Sequence, residues 1–146
     1  EGFRDAINYF RQSFMIYPDY KMLYRDWGMA YYMLNDLDSA EWAWGRHREL
    51  YPTSSYIPLH DNYIRTARFN RLMVIYNERF RSADLPFLDS LMHKALEYVP
   101  ENSNAWTILG KIKLLKGERD SAVTDWNKAV LFDSANAEAK SLLKTY

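Results

Sequence analysis

The sequence predicts an all-α fold of antiparallel helix pairs stacked side by side, an α-solenoid. Three observations carry this. Pro18 and Pro52 are 34 residues apart, and Pro100 and Ser134 repeat the interval. Ala6 and Ala40, and Phe10 and Trp44, are spaced the same way. A fixed period of this length, with a proline closing the unit, marks repeated helix–turn–helix units. Within each unit the apolar residues recur three and four positions apart, as on one face of a helix.

Composition narrows the function classes. Nineteen basic and nineteen acidic residues give no net charge, which excludes a binder dominated by nucleic-acid phosphates. A 48% hydrophobic and 16% aromatic content suits helices packed through large side chains. The longest apolar runs, such as residues 28–34, are too short to span a bilayer. The absence of cysteine rules out disulfides and thiolate chemistry and leaves the compartment open between cytoplasm and periplasm. With Glu1 in first place, the chain reads as a piece of something longer.

Residues 1–18 read as the second helix of a truncated repeat, with Ile7, Phe10 and Phe14 on one face and Pro18 as the stop. Such a helix has room for two neighbours, so its free side is expected to meet a preceding domain or another copy. Residues 21–52 form the next repeat, with helices over 21–34 and 38–50 and a turn at Asn35–Asp36. Gly28 faces the small Ala40, which lets the two axes approach. Residues 53–100 form an irregular repeat with an insertion; its second helix is expected over 85–98. Tyr76 and Leu88 stand where small residues allow close packing, so a wider helix pair is expected. Its first helix either starts early, near Pro58, or is preceded by a short extra helix before Asn70. Residues 103–134 give the last full repeat, with Ser103 as N-cap and Gly117 at its turn, and 137–146 a terminal or capping helix. The whole of 1–146 is expected to form one domain.

Residues 105–134 carry Trp106, Leu109, Gly110, Ala122 and Trp126 in the order W-x2-L-G…A-x3-F, and residues 21–52 carry Tyr24, Trp27, Gly28, Tyr31, Ala40, Trp44 and Pro52. This resembles the tetratricopeptide repeat family. The resemblance implies a right-handed superhelix and a non-catalytic scaffold that binds a peptide or helix of a protein partner in its concave groove. The positions matching the family's groove are Met22, Arg25, Met29, Tyr32 and Met33, then Asn70, Met73, Asn77, Phe80 and Arg81, then Asn104, Thr107, Lys111, Leu114 and Leu115. Of these, Arg25, Met29, Tyr32, Met33, Asn77, Arg81 and Lys111 are the expected partner contacts. The competing arrangement is an inserted segment that fills the groove. Arg25, Asn77 and Lys111 match in character a clamp for a C-terminal carboxylate that some members carry; Met29 and Thr107 break that pattern.

Motifs for chemistry are absent: no Gly-rich phosphate loop, no H-E-x-x-H and no G-x-S-x-G. His47, His60 and His93 are far apart and are expected at the surface or half-buried. No metal, cofactor or catalytic residue is expected. Asp36, Asp38 and Glu41 surround a helix start, where capping accounts for them. Trp27, Trp44, Trp106 and Trp126 are assigned to packing. Trp42 points off that core face, towards the inserted segment or solvent. Two further readings remain: an appendage of a larger enzyme, membrane-embedded and glycan-processing, or an RNA- or glycan-binding module working through Trp42 and the tyrosines.

Overall fold

The computed structural model describes residues 2–20 and 22–146. Among them are eight α-helices and no strand: α1 (Gly2–Ile16), α2 (Leu23–Met33), α3 (Leu37–Leu50), α4 (Ile57–Arg79), α5 (Leu85–Tyr98), α6 (Ser103–Leu115), α7 (Arg119–Phe132) and α8 (Ala137–Thr145). The expected starts at Glu1 and Lys21 lie outside the described residues. Of the two readings for the irregular repeat, the early start holds: α4 is a single 23-residue helix with Pro58 in its first turn. The chain divides into two compact units, one up to Ala67 and one from Arg68 onward.

Helix ends follow from local chemistry. Asp36, Asp84, Asn102 and Asn136 each accept a backbone N–H three residues on, from Ser39, Phe87, Ala105 and Ala139. The cap of α6 is therefore Asn102 rather than Ser103, whose hydroxyl donates to the Ala129 carbonyl at 2.8 Å. Between α2 and α3 the chain turns at Asn35, with φ 61°, and between α6 and α7 at Gly117, with φ 83°. In both turns the next amide reaches back to a carbonyl five residues earlier, Asp36 N–H to Tyr31 and Glu118 N–H to Lys113. That left-handed closure is how a helix is ended and reversed in two residues.

In the first unit α2 packs on both α1 and α3. One cluster joins Ile7 to Leu23, Tyr24, Trp27 and Ala30, with Phe10 against it. A second joins Leu37, Ala40 and Trp44 of α3 to Ile64 of α4. In the second unit α6 lies against α5 and α7, and α8 covers α7. The expected lid of Leu142 and Leu143 packs on Ala122, Trp126, Ala129 and Ala139.

The pairs α2/α3 and α6/α7 share one device. The Trp44 indole N–H donates to the Arg25 carbonyl at 3.0 Å, and the Trp126 indole N–H to the Thr107 carbonyl at 3.2 Å, each over 19 residues. Each indole lies over a glycine. A Cβ on Gly28 would fall 2.9 Å from Trp44 Cε2, with other ring atoms nearer still. On Gly110 it would run into the Trp126 ring and stand 2.9 Å from the Ala122 carbonyl oxygen. The glycine is thus answered chiefly by the indole, more than by the small residue opposite. The irregular pair lacks this device. As the bulk of Tyr76 and Leu88 predicts, α4 and α5 lack the close backbone approach of the other pairs and meet through Phe69, Leu72, Met73, Tyr76, Leu88 and Met92.

Gly110→Ala is expected to lower stability by about 1–3 kcal/mol through overpacking. Gly45 lies inside α3 with open space around its missing Cβ, so Gly45→Ala is expected to raise stability by roughly 0.5–1 kcal/mol. Thermal melts followed by circular dichroism check both signs; equal shifts would show that the indole contact is not what demands glycine.

Candidate functional site

In the first unit the expected groove residues of α2 meet the early part of α4. Arg25 Nε donates to Asp26 Oδ1 at 2.7 Å, and its guanidinium sits 4.8 Å over the Tyr56 ring. The hydrogen bond to Asp26 holds the guanidinium above its usual pKa. Tyr32 stacks on Tyr63 at 5.2 Å and tilts against Trp44 at 5.8 Å. Met29 packs into the same cluster beside Ile64. Only Met33 turns mainly to solvent, with 53% of its surface exposed. Met29 and Tyr32 are therefore brought together, and Tyr63 and Ile64 of the inserted stretch lie against them.

Two of the three histidines differ from the expectation. His47 and His60 are both buried; His93 is exposed and beside Asp89 at 3.4 Å. His60 lies flat on Trp44, with ring centres 4.4 Å apart and planes 5° apart. His47 stands edge-on to His60 at 5.7 Å, and its Nε2 is 2.9 Å from Ser54 Oγ. Burial, with a smaller contribution from the neighbouring His47, pushes His60 down to about 4. Beside them a cleft of about 440 Å³ is lined by Met22, His47, Tyr51, Ser54 and Tyr56 among others. Among the described residues no group of three or more His, Asp or Glu side chains is placed to hold a metal ion.

Trp42 is on the solvent side, as one of its two expected placements had it, and also packs on α2. It stands edge-on to Trp27 at 5.4 Å and to Tyr24 at 6.1 Å, so it extends the aromatic cluster of α2. Half of its surface remains exposed. On α1, Phe10 reaches the α2 core, whereas Tyr9, Met15, Ile16 and Tyr17 are largely exposed.

In the second unit Asn77 and Arg81 are exposed, and the Arg81 guanidinium lies 5.2 Å over the Phe80 ring. Lys111 Nζ donates to Glu138 at 2.7 Å. Both charges act on the nearby Tyr76 hydroxyl, whose pKa burial raises. Thr107 is not a groove residue. It is buried, donates to the Ser103 carbonyl at 3.0 Å and accepts from Asn136 Nδ2 at 3.0 Å. Asn136 reaches Thr107 because its Oδ1 caps α8 and leaves the amide nitrogen free to point at α6. The buried Asp125, held by Lys113 at 2.8 Å, has no signal in the sequence, since the pair forms only when α6 lies on α7.

No protein-family model matches the chain, and no curated protein does. Among solved structures it is similar to a tetratricopeptide repeat protein from Parabacteroides merdae ATCC 43184, at 21% identity and a TM-score of 0.43. The match covers 98% of this chain and 64% of that one, so the chain spans less than two thirds of that protein's length.

Tyr32→Ala is expected to destabilise the fold by roughly 1–2 kcal/mol, below the ~3–5 kcal/mol for a fully buried aromatic ring, because the ring is half-buried. Met33→Ala is expected to stay within ~0.5 kcal/mol. Chemical denaturation of the two variants distinguishes them; equal effects would mean that Tyr32 does not pack on α4.

Proposed function

We propose that the chain is a non-catalytic protein–protein interaction scaffold that holds a peptide or helix of a partner. The supporting observation is a stripe that runs along α4 and just past its end. Asn70, Val74, Asn77 and Arg81 follow one another at steps of four, three and four and are all exposed, with Phe80 beside them at 44% exposure. A face of this composition, apolar residues rimmed by amide and guanidinium groups, suits a partner segment of mixed apolar and acidic character. Most residues that make the repeat pattern, such as Trp27, Ala40, Trp44, Leu109, Ala122 and Trp126, are buried in cores; the stripe residues are not used there. Asn77 and Arg81 are direct contacts in the second unit, and Met33 is one in the first. Lys111 exchanges its internal partner Glu138 for a carboxylate of the bound segment. Arg25, Met29 and Tyr32 contribute through the surface they shape with α4. Among the described residues no helix is long and apolar enough to cross a membrane.

A second reading rests on Trp42, whose exposed indole on an aromatic base could stack on a base or sugar ring. Binding of a protein partner recovered with the chain separates the two. Val74→Ala and Phe80→Ala are expected to weaken it by about 1–2 kcal/mol each if they are central anchors, and Arg81→Ala to weaken it less while flattening its salt dependence. Loss of binding on Trp42→Ala, with the three α4 variants unaffected, would overturn the α4 site.

A further inference from the structure

The buried histidine pair lies where the inserted stretch packs on α3 of the regular repeat. The backbones of α3 and the first turns of α4 do not approach closely. The contact is made by side chains: Trp44 against His60, Tyr63 and Ile64, with Ala67 beside them, and the ion pair of Arg48 with Asp61. His60 is central to it. It is 3% exposed, is stacked on Trp44, and meets Tyr56 at 6.1 Å. Its Nδ1 is buried without a hydrogen-bond partner among the described residues.

We propose that this stack is an acid-released clasp: protonation of His60 frees the stretch 57–67 of α4 from α3 and uncovers Met29, Tyr32 and Trp44. A proton on His60 would meet a largely cationic surrounding. From α3 it faces His47 and Arg48; from α2 it faces Arg25. The one favourable charge is Asp61 on its own helix, and Arg48 already engages that carboxylate. The rings of Tyr32, Tyr51, Tyr56 and Tyr63 border the cluster. A cation stacked on Trp44 gains some attraction from the ring face. Desolvation and the neighbouring positive charges outweigh it, which leaves the docked imidazole near 4.

The sign follows from proton linkage. A released His60 takes up its proton near 6.5 and the docked one near 4, so the released form binds more protons between those values. The docked form is fully favoured above pH 6.5 and loses ground as the pH falls towards 4. At pH 5 the docking equilibrium shifts by about 30-fold, and below 4 by about 300-fold.

Hydrogen–deuterium exchange of the full chain at pH 7.4 and 5.0, corrected for intrinsic amide rates, tests this. The expected result is an approximately 30-fold loss of protection over 57–67 at pH 5.0, with α5 (Leu85–Tyr98) unchanged. His60→Phe keeps a flat ring on Trp44 and cannot be protonated; its protection over 57–67 is expected not to respond to pH. Unchanged protection in the native chain, an equal loss in α5, or the same loss in His60→Phe would overturn the clasp. Should His60→Phe not fold, imidazole titration by NMR in the native chain decides. A His60 pKa below about 5 supports the clasp, and one near the unperturbed 6.5 overturns it.

Discussion

Two close helix pairs organise the molecule, and each depends on an indole seated over a glycine. In α2/α3 and again in α6/α7 the ring occupies the volume a Cβ would need, and its N–H is satisfied by a carbonyl of the facing helix. The two requirements reinforce each other. Only a glycine lets the ring come near enough to reach that carbonyl, and a phenyl ring of similar bulk would have no donor to place there. A buried donor left without a partner carries a desolvation penalty, so the hydrogen bond fixes the rotation of the helix as well as its distance. The left-handed turns at Asn35 and Gly117 are the natural companions of that geometry, since helices this close must be joined by a short reversal.

The irregular stretch between these pairs obeys different physics. Without a glycine seat, α4 stands off from α3 and from α5, and long side chains bridge the distance. Towards α3 the bridge is stacked rings, Trp44 with His60 and Tyr32 with Tyr63. Towards α5 it is aliphatic, with Leu72 and Met73 against Leu88 and Met92. A titratable imidazole is part of this packing, which sets this joint apart from the two glycine seats. The outward face of the later turns, with Val74 and Asn77, stays out of any core, as do Phe80 and Arg81 just past the helix end. One helix thus has its first turns packed on α3 and its later turns exposed on the outward side.

Much of the fold was legible from the sequence because its determinants are local. Helix stops at Pro18, Pro52 and Pro100 and the cap at Asp36 need only a few neighbouring residues to act; the cap of α6 fell one residue earlier than expected, at Asn102, and the start of α4 near Pro58 was one of two open readings. The glycine and tryptophan positions were legible for another reason: they recur, and recurrence separates a structural demand from chance. Groove residues were less so. Met29 and Tyr32 have the composition of open contacts, but a helix that begins before its regular place brings Tyr63 and Ile64 onto them.

By itself, then, the sequence determined an all-helical chain of paired helices, their order, most of their boundaries and the wide fit of the irregular pair. Periodicity, turn chemistry and side-chain volume are properties of short segments and act wherever those segments are placed. Only the tertiary structure decided which polar groups are buried together: His47 with His60, Asp125 with Lys113, and Thr107 with Asn136. Each of these pairs is separated by a turn or by an intervening helix. No local rule relates their members, and burial, which gives the contacts their electrostatic weight, exists only once the helices have come together.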